Sequence, residues 1–188
     1  IGVLNKHLQQ DSVVTTDAGA TTEIPMQALN FTSSRQRYLG SAAQCEMGYA
    51  IPAAIGASIG RDKKEILCIV GDGSFQLNIQ ELQTIVTQKL PIKVFVWNNN
   101  GYGTIRGHQK TIFKGRYVGV DEASGTAFPD LKKIAQAYEI AYRSAATLNE
   151  LDQVLKDVIG INEPVIVEVK CWMEEFNPIA KAQVRMED

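Results

Sequence analysis

The stretch ILCIVGDGSFQLNIQELQTIVTQKLPIKVFVWNNNGYG, residues 66–103, decides the fold. Ile66 to Val70 and Ile92 to Trp97 are runs rich in β-branched and aromatic residues, as expected of parallel strands covered on both faces. Between them Ile79, Leu82, Ile85 and Val86 recur at helical spacing, so the crossover is a helix beginning at about Asn78. A crossover of this kind is right-handed, makes the two strands parallel and sends their carboxyl ends to one edge of the sheet. Asp72 and the triplet Asn98, Asn99, Asn100 therefore leave the sheet at the edge where open α/β sheets bind ligands.

The residue types at that edge specify a chemistry. Asp72 is a hard oxygen donor, an asparagine amide oxygen is another, and the turn at Gly101 offers a backbone carbonyl, a set that suits Mg²⁺ or Ca²⁺ rather than zinc. Three protein oxygens leave coordination positions for a phosphate and water, the usual arrangement around Mg²⁺. Gly71 and Gly73 let the backbone pass close to such a ligand, and the amides of Gly73 and Ser74 are placed to donate to its oxygens. The expected ligand is a magnesium diphosphate.

The wording GDGSF-x-x-N-x-QEL at Gly71 to Leu82, with 24 residues between Gly73 and Asn98 and then NNNGYG, resembles the signature of the thiamine-diphosphate enzymes. It is most similar to the acetohydroxyacid (acetolactate) synthase and pyruvate decarboxylase group. The resemblance covers nearly the full chain as that family's carboxyl-terminal, diphosphate-binding domain. It implies Asp72, Asn99 and Gly101 as metal ligands, with Gly71, Gly73, Ser74 and Tyr102 at the cofactor. It further implies the turn Asp17-Ala18-Gly19-Ala20-Thr21-Thr22 as a contact to the distal phosphate, through Gly19, Ala20 and Thr21. Ala20 departs from the larger polar residue often found there, and the threonines also read simply as helix caps. In Cys45-Glu46-Met47-Gly48, Met47 falls on the position whose bulk wedges between the two cofactor rings, and the backbone at Cys45 and Met47 faces the aminopyrimidine. From residue type alone, a methionine before an alanine-rich helix reads as core packing. The resemblance assigns the activating glutamate to a separate amino-terminal pyrimidine-binding domain, normally from a neighbouring subunit of a homo-oligomer. It leaves Glu46 a structural role and this chain no catalytic residue of its own.

The implied activity is decarboxylation of a 2-oxo acid with ligation of the product. A non-ligating decarboxylase or oxidase is the alternative, and a nucleotide-binding regulatory domain, which would need a GxGxxG or Walker turn, is the outsider. The 188 residues suit one domain, 1–188, and the start at Ile1 without methionine reads as a piece of a longer protein. Net charge of −2 with no basic patch gives no reason to expect nucleic acid, and no apolar run is long enough for a membrane span. Cys45, Cys68 and Cys171 lack CxxC spacing, which favours a reducing compartment and a cytoplasmic protein, with Cys68 in the core.

Further elements follow from pattern. A helix carrying Leu4 and Leu8 opens the chain; Val13 to Thr16 is a strand; Ile24, Ala28 and Leu29 mark a helix. Residues 30–41 are a loop with a short segment at Arg37 to Leu39, and the alanine-rich helix after Gly48 reads as buried, with Pro52 in its first turn. Thr104 to Lys110 is a short helix on which His108 is inert, and residues 111–129 form a long mobile loop. Asp130 caps a helix bearing Leu131, Ile134, Ala135 and Tyr138. Ile140 to Arg143 and Val165 to Val169 are strands, and Thr147 with Glu150 is a capping box for the helix between them. Trp172, Met173 and Phe176 in the tail read as packing residues, with a cover for a partner domain or the active site as the alternative. The expected architecture is a three-layer αβα domain with a mainly parallel sheet of about six strands.

Overall fold

The computed structural model describes residues 1–41 and 43–172. Six strands, β1 (Val13–Thr16), β2 (Arg37–Leu39), β3 (Ile66–Gly71), β4 (Ile92–Asn98), β5 (Ala141–Ala145) and β6 (Val165–Lys170), form one sheet in the order β2-β1-β3-β4-β6-β5. Every pairing is parallel. The helices are α1 (Ala20–Ala28), α2 (Ala50–Ile59), α3 (Asp72–Phe75), α4 (Glu81–Gln88), α5 (Gly103–Thr111), α6 (Leu131–Ala137) and α7 (Leu148–Val158).

Alternation along the strands splits the core into two layers. Ile66, Cys68 and Val70 of β3 and Ile92, Val94 and Val96 of β4 pack under Ile51, Ala54 and Ile55 of α2, Leu82 and Ile85 of α4, and Leu131 and Ala135 of α6. Leu67, Ile69 and Phe95 face the other way, against Val154, Leu155 and Val158 of α7 and Leu4. The central strands are thus apolar on both faces, which is why they read as unbroken runs rather than as alternating ones. Each such Leu, Ile or Val contributes about 1.5–3 kcal/mol on burial. Cys68 is fully buried, and burial pushes its thiol pKa up to about 12.

Several elements differ from their sequence reading. The opening helix is a single 3-10 turn, Leu4–Lys6, that buries only Leu4. The alanine-rich α2 is buried on one face, while Pro52, Gly56 and Ile59 are exposed, because only one side of it meets the sheet. The crossover helix does not wait until Asn78: the chain turns helical at Asp72, passes through a 3-10 turn at Gln76–Asn78 and continues as α4. Thr147 accepts from the Glu150 amide, but the Glu150 carboxylate bonds Ala146 instead of returning to Thr147, so only half of the capping box forms. The Asp130 side chain caps α6 through the amides of Lys132 and Lys133, as read. Trp172 is exposed rather than packed; Met173 and Phe176 lie outside the described residues.

Residues 112–128 follow a braced path. Asp121 forms a capping box with Ser124, Gly101 and Asp121 make a β-bridge, and the Tyr102 amide donates to the Val120 carbonyl at 2.9 Å. The Gln109 side chain both donates to and accepts from Val118. Glycines and a proline suggested a long mobile loop because the contacts to Gly101, Tyr102 and Gln109 are made to other segments, where local sequence does not register them; the Asp121–Ser124 box is local and was missed.

Candidate cofactor site

Four turns meet at the carboxyl edge of the sheet, and each is shaped by its own residues. At the end of β3, Asp72 is 4% exposed; its Oδ1 accepts from the Gly73 amide at 2.8 Å, and its Oδ2 from Asn99 at 3.1 Å and Gly101 at 3.2 Å. Its pKa is raised by burial, which the backbone amides of Gly73, Gly101, Asn99 and Asn100 offset only in part. No cationic group is among these influences. The anion is met by dipoles alone, which leaves it suited to a cation.

The three asparagines divide the work of the neighbouring turn. Asn98 ends β4, and its Oδ1 accepts from the Asn100 amide at 3.0 Å; Asn99 Oδ1 accepts from Gly101 at 3.1 Å. Both are Asx-type bonds to the amide two residues on. Asn100 takes the left-handed conformation, φ 57°, which asparagine tolerates better than most residues. The turn so formed brings Asn99 and Gly101 onto Asp72, and each carbonyl oxygen retains a second lone pair. A carboxylate, an amide oxygen and a backbone carbonyl form a hard-oxygen set that fits Mg²⁺. Among the described residues no cluster of three His, Cys, Asp or Glu offers a competing centre.

Gly73 serves the site by what it lacks. A Cβ there would lie 2.2 Å from the Tyr102 ring, which packs edge-on against Phe128 with centroids 5.3 Å apart. Its amide is occupied by Asp72. At the first turn, Gly19 precedes α1 with φ 58°, a conformation glycine permits, and a Cβ there would lie 2.6 Å from Thr104 Oγ1. Ala20 and Thr21 open α1 with amides that have no intrahelical acceptor, as first-turn amides do not. The threonines do not cap α1 as their type suggested: the N-cap is Gly19, and the hydroxyls of Thr21 and Thr22 instead donate to the carbonyls of Ala18 at 2.8 Å and Asp17 at 2.6 Å.

The segment before α2 is held from three sides. The Gly19 amide donates to Cys45 Sγ at 3.4 Å, Asn78 Nδ2 donates to the Gly48 carbonyl at 2.8 Å, and the Asp17 carboxylate accepts from Gly48 at 3.1 Å and Ala50 at 2.9 Å. Between these anchors Met47 is 38% exposed, so it is not the core residue its type suggested. Glu46 is exposed and takes a hydrogen bond from the Ser41 hydroxyl. Two residues that sequence reasoning did not single out do the holding. Asp17 is fully buried at the end of β1, and Asn78 stands inside the GDGSF-x-x-N wording. A carboxylate at a strand end and an asparagine three residues beyond Phe75 were the available signals.

Beside the asparagine turn an open cleft of about 560 Å³ is lined by Asn99, Asn100, Arg106, Asp121, Glu122 and Ala123. Arg106 pairs with Asp121 and lies 3.9 Å over the Tyr117 ring, fixing α5 to the segment that follows it. His108 points to no partner role and is exposed.

Residues 17–169 match the family model described as thiamine pyrophosphate enzyme, C-terminal TPP binding domain. The chain belongs to this family. All four turns of the TPP-binding domain fall within the match. Among its relatives, the acetolactate synthase large subunit of Porphyra purpurea is 34% identical over 92% of this chain and 29% of its own length. The acetolactate synthase isozyme 2 large subunit of Escherichia coli (strain K12) is 31% identical over 85% of this chain and 28% of its own. The fold is shared with a thiamine diphosphate-dependent 4-hydroxybenzoylformate decarboxylase of Rhodococcus jostii RHA1, at a TM-score of 0.78, 22% identity, and coverage of 90% of this chain and 31% of that one. The TPP-binding domain thus spans about three tenths of the length of the proteins it matches.

Proposed function

We propose that this domain holds the magnesium diphosphate of thiamine diphosphate within an enzyme that decarboxylates a 2-oxo acid and joins the product to an acceptor carbonyl, a reading supported by its likeness to acetolactate synthase large subunits. The observation that carries the reading is the convergence of the Asn99 and Gly101 amides on the buried Asp72 carboxylate, whose burial those amides offset only in part and no cation offsets. Asp72, Asn99 Oδ1 and the Gly101 carbonyl would hold Mg²⁺. Gly19, Ala20, Thr21, Gly71, Gly73 and Ser74 would surround the diphosphate, with Tyr102 against Gly73. Met47 offers the exposed bulk on which the cofactor rings would rest, next to the backbone of Cys45. Bound there, the cofactor supplies the electron sink for loss of carbon dioxide; the protein supplies position and electrostatics.

No acid suited to activating the cofactor stands among these residues. Glu46, the nearest candidate by sequence, is exposed and bonded to Ser41. The family resemblance, rather than this geometry, assigns the activating glutamate to an amino-terminal pyrimidine-binding domain, normally from a second subunit of a homo-oligomer. The surface of α5 supports this reading. The helix buries none of its own residues, and Ile105, Ile112, Phe113 and Val118 on it and just beyond it are exposed. Alone, the domain keeps its ligand edge open to water and is expected not to decarboxylate pyruvate even with cofactor and Mg²⁺ supplied. No helix among the described residues is long and apolar enough to cross a membrane, and a cytoplasmic setting goes with the cysteine spacing.

The test is calorimetric titration of thiamine diphosphate with Mg²⁺ into the polypeptide that carries this domain. Asp72→Ala and Asn99→Ala are each expected to abolish Mg²⁺-dependent binding, since each removes one of about three protein oxygens. Unchanged affinity in both variants would overturn the assignment.

A further inference from the structure

Asn98 of the asparagine turn is held by a residue of the neighbouring strand, β6. Its Nδ2 donates to Glu168 Oε1 at 2.7 Å, and the second oxygen of Glu168 accepts from the Tyr142 hydroxyl. The three side chains come from β4, β6 and β5, adjacent in the sheet. Glu168 pairs in register with Val96 and Ser144, so Asn98 and Tyr142, each two residues away along its own strand, lie on the same face. All three are partly buried.

The chemistry of the three groups fixes a direction. An ionised carboxylate only accepts, so Asn98 must turn its NH₂ toward Glu168 and its oxygen toward the turn. That oxygen is the one that accepts from the Asn100 amide at 3.0 Å. A flipped amide would present a donor to a donor at Asn100. The backbone of Asn98 is fixed independently, paired with Lys170 in the sheet and accepting from the Cys171 amide at 2.8 Å, so the side chain is the degree of freedom left to control. Tyr142, whose phenol is pushed up to about 12 by burial and by Glu168, remains a donor throughout the neutral range and occupies the second oxygen.

We propose that Glu168, backed by Tyr142, is a positioning residue for the metal: it sets the Asn98 amide, which sets the turn that brings Asn99 and Gly101 onto Asp72. The proposal rests on the functional reading above. It gives Asn98, which supplies no ligand itself, a role through orientation, and it places a determinant of metal affinity some 70 residues further along the chain. Outer groups that orient ligands commonly change metal affinity by about 10–100-fold when removed. Glu168 acts through Asn98, so the lower end applies.

The experiment is a Mg²⁺ titration of thiamine diphosphate binding in the polypeptide that carries this domain, comparing wild type with E168A, E168Q and Y142F. E168A is expected to raise the Mg²⁺ needed for half-maximal binding about tenfold, with full occupancy and wild-type kcat recovered at high Mg²⁺. E168Q keeps an acceptor for Asn98 without enforcing its direction, and Y142F removes only the outer bond, so both are expected to shift the midpoint less. In the cofactor-free protein the Asn100 amide is expected to exchange faster in E168A. A Mg²⁺ dependence unchanged from wild type in every variant that folds would overturn the proposal, as would a lowered melting temperature with no shift in Mg²⁺. A wild type that binds no cofactor at any Mg²⁺ would instead overturn the functional reading, and this inference with it.

Discussion

The two edges of the sheet treat buried charge in opposite ways. At the amino edge Lys93, near the start of β4, is fully buried, and its Nζ donates to the carbonyls of Ile161 at 2.7 Å and Glu163 at 2.5 Å, with Glu65 Oε2 at 3.5 Å. The cation there is closed off by acceptors and an anion from the chain itself. At the carboxyl edge Asp72 is buried almost as deeply, yet it is met by backbone amides only. One edge matches its buried charge with an opposite charge, and the other meets its buried charge with backbone amides. Burial alone does not mark a functional group; the kind of partner does.

The sharpest way to break this comparison is at the closed edge. Lys93→Met leaves two strong carbonyl acceptors and Glu65 without their cation, and is expected to cost about 3 kcal/mol, the lower end of the range for a broken buried pair because Glu65 keeps the Gly160 amide. Urea unfolding measures it, and the folded variant should bind cofactor like wild type. The pH dependence has a definite sign. Burial lowers the Lys93 pKa below the 10.5 of the unfolded chain, so the unfolded state binds more protons in the window between the two values. The cost of burying the charge is fully present below that window and relieved as pH rises through it. The stability gap between wild type and Lys93→Met should therefore widen from pH 7 toward pH 10; a gap that narrows would show the ammonium to be favoured by its site.

At the open edge, Gly73→Ala is expected to cost about 1–3 kcal/mol, the range for overpacking, because the new Cβ must displace the Tyr102 ring from 2.2 Å. Cofactor affinity should fall with it, which separates this site from Lys93. The smallest effect on stability belongs to Met47→Ala, within about 0.5 kcal/mol as for other exposed positions. Diphosphate binding should persist while turnover of the assembled enzyme falls, and Met47→Leu should restore it. Full activity with alanine would remove Met47 from the site.

The βαβ unit at 66–103 was legible because its strands are apolar on both faces and its helix keeps its period; the alternation of strands and helices gave a mainly parallel sheet of about six strands, and every pairing proved parallel. The edge at which Asp72 and the asparagines emerge was legible from topology. What the sequence hid were bonds between side chains and distant backbone. Asp17 reaches Gly48 and Ala50, and Asn78 reaches Gly48, neither with a local pattern to mark it. Among carboxylates, Glu46 drew notice from its position beside Met47, whereas the buried Asp17 is the one that shapes that segment.

The bonds from Asp72 to amides 27 and 29 residues later have a kinetic side. The carboxylate cannot gather its amides until β4 has docked on β3, so the metal-holding geometry is a late product of folding, formed only after a long loop has been closed. A chain emerging from the ribosome and stopped before Asn98 would carry the GDG turn with nothing to complete it. The same geometry is absent from the unfolded chain, so any ligand that it holds binds the native state alone and pulls the folding equilibrium toward it in proportion to that ligand's concentration.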